Sequence, residues 1–409
     1  MTDSSTAHHG SLSPALPADL GLSPHYTSRM LDVLQSEIDS KRLPGAVVMV
    51  VRHGRTAVLQ SLGQQDPGTG VPMADDSIFR IYSMTKPIVS VAIMMLVEQG
   101  KLLLSDAVSR HLPEFTDQQV AVREGGVAAL RAPRRAATVQ DLLRHTAGLT
   151  YEFLGSSEVQ RQYAQARINA RSRSNEAFSQ ALAAIPLMFE PGSVWEYSRA
   201  TDVLGRLVEV ASGQSLGGFL QQHILRPLGM VDTGFHVPAH QQHRIAQAFA
   251  HDPDGGIPMA LFDPGEIPAM ESGGGGLMST ARDYARFLQC LLNRGELDGV
   301  RLLAPRTVDY MTADHLGDIP VNGVDAPGAV NTLLPPGHGF GLGFAVRQHM
   351  GVSNVPGSAG LYYWGGIAGT SFFVDPAEDF FAMLLIQAPN QRDYYRPLFR
   401  NLVYACLAD

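Results

Sequence analysis

The chain has 409 residues, 45% hydrophobic and 17% charged, which describes a globular protein long enough for one large or two interleaved domains. Its net charge of −8, with no basic stretch interleaved with aromatics, excludes nucleic acid or an anionic membrane as the main partner. No apolar run reaches the roughly 18 residues of a spanning helix, and Met1-Thr2-Asp3-Ser4-Ser5 lacks the basic start and apolar core of a signal peptide, so a cytoplasmic location is expected.

Residues 1–24, rich in Ser, Pro and Ala, read as a flexible arm. Met30, Leu31, Val33, Leu34 and Ile38 then have helical spacing, which predicts a helix over Tyr26 to Ile38. Gly45–Val51 and Thr56–Leu59 read as two strands, with Arg52-His53-Gly54-Arg55 as the hairpin between them. A further strand-like stretch, Ser77 to Tyr82, leads into Ser83-Met84-Thr85-Lys86. On a helix, residues i and i+3 share a face, so the Lys86 amine can reach the Ser83 hydroxyl. Ile88 to Val97 is apolar nearly all round and predicts a buried helix, whose rim favours an uncharged amine able to activate the serine as a nucleophile. Pro87 fits a first helical turn yet disfavours helical geometry at Lys86, which predicts a distorted turn. The free N–H groups at the start of such a helix can receive an oxyanion.

From Leu102 to about Gly265 the pattern is helices, at Thr138–His145, Asn175–Ile185, Thr201–Ala211 and Leu216–Leu225, separated by long Pro/Gly loops. The cluster Arg131, Arg134, Arg135 reads as a solvated loop, and His145 as a turn anchor. The turn-rich loop Glu190–Ser198 carries Tyr197, a phenol able to shuttle the serine proton to a leaving group. Gly213-Gln214-Ser215-Leu216-Gly217 matches the G-x-S-x-G nucleophile elbow, but a helix precedes it where a strand is required. Gly213 therefore reads as a helix C-cap and Ser215 as the next N-cap. His236, His240 and His243 have metal-ligand spacing without a fourth ligand and read as solvated, so no metal or other cofactor is expected. Cys290 and Cys406 lie in no CxxC and read as buried small hydrophobes in a reducing compartment.

Strand patterns return at Phe340–Arg347, Leu361–Val374 and Phe380–Gln387, and Asp393–Leu407 closes the chain as a helix. The expected fold is therefore α+β, a sheet assembled from both chain ends around a helical insertion, with a cleft between the lobes. Within the late strands, Trp364-Gly365-Gly366-Ile367-Ala368-Gly369-Thr370 is glycine-dense. That density permits close approach of a substrate carbonyl to main-chain N–H groups, and equally a bulge or tight packing contact.

With these pieces assembled, the chain resembles the family VIII carboxylesterases, which share the fold of class C β-lactamases and D-Ala-D-Ala peptidases. The likeness spans roughly residues 25–405. It rests on Phe79–Lys86, on Leu142–Leu149, on Pro191-Gly192 leading into Tyr197-Ser198, on Ser272–Leu277 with Ser279-Thr280-Ala281, and on Trp364-Gly365-Gly366. It implies a β-lactamase/DD-peptidase-like antiparallel sheet flanked by helices, made of 25–105 and 270–409, with a mainly helical domain inserted at 106–269. It implies Ser83 as the acylated nucleophile, Lys86 and Tyr197 as the proton relay, and the amides of Ser83 and Ile367 as the oxyanion hole. Tyr151, Trp364, Gly365 and Gly366 would line the substrate site.

Two positions depart from the β-lactamase and peptidase pattern. Trp364 and Gly365 stand where those enzymes carry a lysine and a hydroxyl residue, and Arg199 where the tyrosine motif ends in an asparagine that contacts a substrate amide. Both changes tilt the expectation from amides toward neutral small-molecule esters, hydrolysed through an acyl-serine. A β-lactamase or peptidase activity, an acyltransferase on the same site, and a ligand-sensing domain with a vestigial site are the competing readings.

Overall fold

The structure, a computed structural model, describes residues 12–124, 127–323 and 331–408. Helix α1, Pro24–Asp39, starts with Pro24 in its first turn and with the Ser23 side chain accepting from the Tyr26 amide. The main sheet follows and has eight strands. They are β1 (Gly45–Arg52), β2 (Arg55–Asp66), β3 (Val71–Pro72), β4 (His338–Phe340), β5 (Ala345–Arg347), β6 (Tyr362–Gly365), β7 (Ser371–Asp375) and β8 (Phe380–Ile386). Their spatial order is β4-β5-β6-β7-β8-β1-β2-β3, and every pairing is antiparallel. The chain ends thus meet at the β1–β8 pair, where Ala46 opposes Ile386 and Arg52 opposes Phe380.

β1 is buried along its whole length because both faces of the sheet are covered. Side chains alternate between the faces with period two. Val47, Met49, Val51, Phe372, Val374, Phe381, Met383 and Leu385 join the larger core, with α2 (Thr85–Glu98) and α8 (Ala281–Leu292). Ala46, Val48, Val50, Phe373, Phe380, Ala382 and Leu384 join the second core, where α1 packs against the closing helix α10 (Arg392–Cys406). A one-residue slip of β1 would exchange these two sets, so the register is specified by both cores at once.

Helix α2 is buried on almost every side, from Thr85 to Met94 and again at Leu96, with α6 (Ala200–Ser212) as a principal neighbour. Each buried Ile or Leu of this kind stabilises the fold by about 1.5–3 kcal/mol. The other described helices are α3 (Val139–Leu143), α4 (Glu158–Gln165), α5 (Asn175–Ala183), α7 (Leu216–Leu220) and α9 (Pro305–Met311). No described helix is long and apolar enough to cross a membrane.

Several expectations are corrected. Residues 12–15 are not loose: Leu12 donates to Gly54, Ala15 to Thr56, and Thr56 to Ser13, so this stretch runs along the start of β2. Residues 1–11 of the expected arm lie outside the described residues. Leu361–Val374 is two strands, with Gly366–Thr370 as the turn between them and Gly369 at φ 110°. The glycines sit there because the chain must reverse. Phe340–Arg347 likewise breaks at Gly343, φ 103°. The stretch expected to be helices and loops contains a two-stranded hairpin, Val120–Glu124 with Val127–Arg131. Helices α4, α8 and α9 arise where no helix is expected. In α8 the Thr280 side chain caps the Asp283 amide and one face is apolar.

Candidate active site

Ser77–Tyr82 is not a full strand. Phe79–Arg80 pairs with Met278–Ser279 and Ile78 makes a single parallel bridge to Ile245, before the backbone kinks at Tyr82, φ 42°. A non-glycine residue in this region costs of order 1–3 kcal/mol and persists where its surroundings hold it. Here the Tyr82 hydroxyl accepts from the Phe262 amide (3.3 Å), and its ring meets the Phe262 ring edge-on. Arg80 fastens the same loop, donating to the carbonyls of Phe262 (2.7 Å) and Ala246 (3.0 Å). The kink leads into a 3-10 turn, Tyr82–Met84, which passes into α2 at Thr85. The distortion predicted from Pro87 therefore falls before Lys86 rather than at it.

Ser83 stands in this turn. Its Oγ accepts from Tyr197 Oη at 2.6 Å and from Lys86 Nζ at 3.3 Å. Lys86, 1% exposed, also donates to the Gly274 carbonyl at 2.6 Å and to Tyr151 Oη at 3.0 Å. Its Nζ lies 4.5 Å from the centre of the Tyr197 ring. Trp364 Nε1, from β6, donates to Tyr197 Oη at 3.4 Å. Lys86, Tyr151, Tyr197, Gly274 and Trp364, from five separate parts of the sequence, thus gather around the Ser83 hydroxyl.

Among the described residues neither the Ser83 nor the Ile367 N–H has a hydrogen-bond acceptor. A Cβ on Gly366 would lie 2.4 Å from the carbonyl oxygen of Ile81, two residues before Ser83, so the β6–β7 turn is pressed against the serine turn. Gly366→Ala is therefore expected to cost about 1–3 kcal/mol of stability and to part the two amides. Calorimetry together with ester turnover checks this, and a variant as stable and active as the wild type would refute the contact.

The tyrosines are held by a polar network that sequence reasoning did not find. Glu196, buried beside Tyr197, accepts from Thr150 Oγ1 and Asn322 Nδ2, both at 2.8 Å, and burial raises its carboxyl above the ordinary range. Arg199 pairs with Glu152 and with Asp202, and its guanidinium stands 4.7 Å from the Tyr151 ring centre. Asp202 in turn accepts from Ser272 Oγ (2.5 Å) and the Gly274 amide (2.9 Å), which fixes the carbonyl that receives Lys86. The only sequence signal for Asp202 is an acidic residue in the first turn of a helix, where it reads as an ordinary N-terminal charge.

His145 is fully buried at φ 58°, with Nδ1 3.1 Å from Ser198 Oγ and its ring against Tyr197, so it anchors the tyrosine loop as expected of a turn residue. Burial and the nearby Lys86 push its imidazole well below the usual range.

The turn before Tyr151 is organised by Asp141. It forms a capping box with Thr138, and its carboxylate receives Arg135, Arg144 and Thr146. Burial alone would raise this carboxyl; the hydrogen bonds, from Arg135 foremost, overcome it and hold it at about 2. A folded value below the unfolded value of about 3.9 gives stability that is present above pH 4 and lost as pH falls toward 2. With Arg135 partly open to solvent, we expect about 1–2 kcal/mol from this source. The stability gap between wild type and Asp141→Asn should narrow by that amount between pH 5 and pH 2 in acid-unfolding titrations. A gap independent of pH would disprove the assignment.

The decoys separate from the site. Ser215 caps α7, accepting from the Gly218 amide at 3.1 Å, and Gly213 ends α6 at φ 73°. His240 and His243 lie on the 3-10 turn Ala239–Arg244, and no described group of three His, Cys, Asp or Glu is placed to hold a metal ion. Cys290 and Cys406 are free and buried, and burial pushes the Cys290 thiol up to about 12.

An antiparallel sheet between helical layers, with a Ser-x-x-Lys turn packed against β6, defines the β-lactamase/DD-peptidase class of serine hydrolases. A profile described as Beta-lactamase matches residues 30–405, and the chain belongs to that family. It is 37% identical to protein Rv1367c of Mycobacterium tuberculosis, over 85% of this chain and 87% of that one. It is 34% identical to Esterase EstB of Burkholderia gladioli, over 88% and 89% of the two chains. Among solved structures it is similar to EstCE1, described as a hydrolase with promiscuous acyltransferase activity. The TM-score is 0.78 and the identity 29%, covering 93% of this chain and 98% of that one. These likenesses agree with the family VIII esterase branch.

Proposed function

We propose that this chain is a serine carboxylesterase that hydrolyses short-chain esters through an acyl-enzyme. The observation that carries the reading is the convergence of Lys86 Nζ and Tyr197 Oη on Ser83 Oγ. In the forward step, Ser83 Oγ forms a bond to the ester carbonyl carbon while its proton passes into the Lys86–Tyr197 pair. The amides of Ser83 and Ile367 receive the oxyanion, each donor supplying roughly 10²–10³ in rate. As the alkoxide leaves, Tyr197 returns the proton to it. Water then attacks the acyl-serine, giving up a proton to the same pair and releasing the acid.

The site draws on both proposed parts of the chain. Ser83, Lys86 and Trp364 come from the α/β part, 25–105 with 270–409, and Tyr151 and Tyr197 from the mainly helical part, 106–269. Tyr151, Tyr197 and Trp364 crowd the serine, and the Tyr151 ring stacks on Phe153, which supports a small acyl group and apolar recognition. Buried free thiols support a reducing, cytoplasmic setting.

A panel of p-nitrophenyl esters of graded acyl length tests the reading, run beside a chromogenic cephalosporin and with added acceptor alcohol. Ester turnover exceeding cephalosporin turnover supports the esterase. Dominant transfer to the alcohol favours an acyltransferase, the second reading, which the likeness to EstCE1 makes specific. Labelling of Ser83 by a fluorophosphonate without turnover of any ester would overturn both.

A further inference from the structure

Helix starts are ordinarily closed by a side chain that accepts from a free amide of the first turn. The turn that carries Ser83 has none. Ile81 precedes the 3-10 turn Tyr82–Met84 and Met84 precedes α2, and neither side chain makes a capping hydrogen bond. Pro87, in the first turn of α2, has no N–H to offer the carbonyl four residues before it, that of Ser83. The segment is instead fastened by other elements. The Leu277 amide donates to Thr85 Oγ1 at 3.1 Å, Thr370 Oγ1 to the Ile81 carbonyl at 3.4 Å, and Tyr284 Oη to the Met84 carbonyl at 2.8 Å.

Tyr284 lies on α8 with no exposed surface, and burial raises its phenol well above the usual range, so the hydroxyl stays a neutral donor. Among the described residues the Met84 carbonyl is its single hydrogen-bond partner. A phenylalanine would fill the same space with no polar atom to desolvate, so what the hydroxyl adds is that bond. The ring centre stands 5.5 Å from that of Phe372 on β7, and Phe372 opposes Trp364 on β6. The same side chain thus touches the serine turn through its oxygen and, through its ring, the strand pair whose turn carries the Ile367 amide.

We propose that Tyr284 is a positioning residue for the nucleophile: its phenol pins the main chain one residue beyond Ser83 against the β6–β7 pair, and so sets the distance between the two amides that receive the oxyanion. This inference rests on the reading of Ser83 as nucleophile, which Ser83→Ala tests separately.

The test is Tyr284→Phe, assayed below the unfolding temperature of each variant. Its kcat for p-nitrophenyl butyrate should fall about 5- to 50-fold with KM changed by less than about twofold, because the substrate surface is intact and the reacting atoms are misplaced. n-Butylboronic acid mimics the tetrahedral intermediate once its boron bonds to Ser83 Oγ, so its Ki should rise by the same factor as kcat/KM falls. Tyr395→Phe is the matched control. Its hydroxyl donates to Glu37 at 3.0 Å in the second core, remote from Ser83, so its loss should lower thermal stability to a similar extent while kcat and the boronate Ki stay within about twofold of wild type. Tyr284→Phe with kcat and boronate Ki both within about twofold of wild type, or no more impaired than Tyr395→Phe, overturns the proposal even if Ser83→Ala is inactive.

Discussion

Ser83→Ala is expected to lower kcat/KM for p-nitrophenyl butyrate by about 10⁴- to 10⁶-fold, the range seen when a serine nucleophile is removed from an intact site. The reason is that the two proton-handling groups of the site converge on this oxygen, and among the described residues no other serine or threonine hydroxyl bonds to them. Ser215 caps a helix, and the Ser198 hydroxyl faces His145. The fold should persist, because the side chain removed is small and its turn is held by Tyr82, Arg80 and the Gly366 contact. Steady-state rates alongside thermal unfolding separate the two effects. An alanine variant that is folded and retains more than about a hundredth of wild-type turnover would show that the acyl group rides elsewhere.

Tyr197→Phe should be the second largest loss, about 10²- to 10⁴-fold in kcat with KM little changed, as expected when a general acid–base is removed without loss of binding surface. The ring remains packed between Trp364, Tyr151 and His145, so Phe preserves the shape of the site. What disappears is the hydroxyl that donates to Ser83 at 2.6 Å and accepts from Trp364 Nε1 at 3.4 Å. Stability should drop by about 1 kcal/mol, since the buried indole N–H loses its acceptor. The effect on acylation is separable from that on deacylation by pre-steady-state kinetics with a chromogenic leaving group. If the phenol only packs, the Phe variant will stay within a few-fold of wild type, and the leaving-group proton must come from another source.

The nearness of the two tyrosines to one amine raises a question of division of labour. Tyr151 Oη accepts directly from Lys86, whereas Tyr197 Oη bonds to the serine and presents its ring face to the amine. The geometry therefore makes Tyr151 a neighbour of the base and Tyr197 a neighbour of the nucleophile. Burial raises the Tyr151 phenol well above its usual range, so it stays a neutral partner to Lys86 across the working pH.

Residues 79–86 and 190–198 could be read without a structure because their chemistry is local. A hydroxyl and an amine three positions apart share a helical face whatever surrounds them, and an apolar stretch such as 88–97 has to be buried. The strands of the sheet were legible for the same reason, through the apolar runs of β1 and β8 and the hairpin signal between β1 and β2, while their antiparallel order was implied by the family resemblance. Sequence alone therefore determined the fold class, the Ser-x-x-Lys pair and the tyrosine loop. Tertiary structure decided the rest, because those contacts join residues distant in sequence. Gly274 supplies a carbonyl to Lys86 across 188 positions, and Gln387 reaches Arg80 across 307. The glycines of 365 and 366 looked like a weakened strand until their neighbours were seen. One yields to the Ile81 carbonyl and the other to the Arg396 guanidinium, and the space a missing side chain leaves is set by whatever the fold brings to fill it.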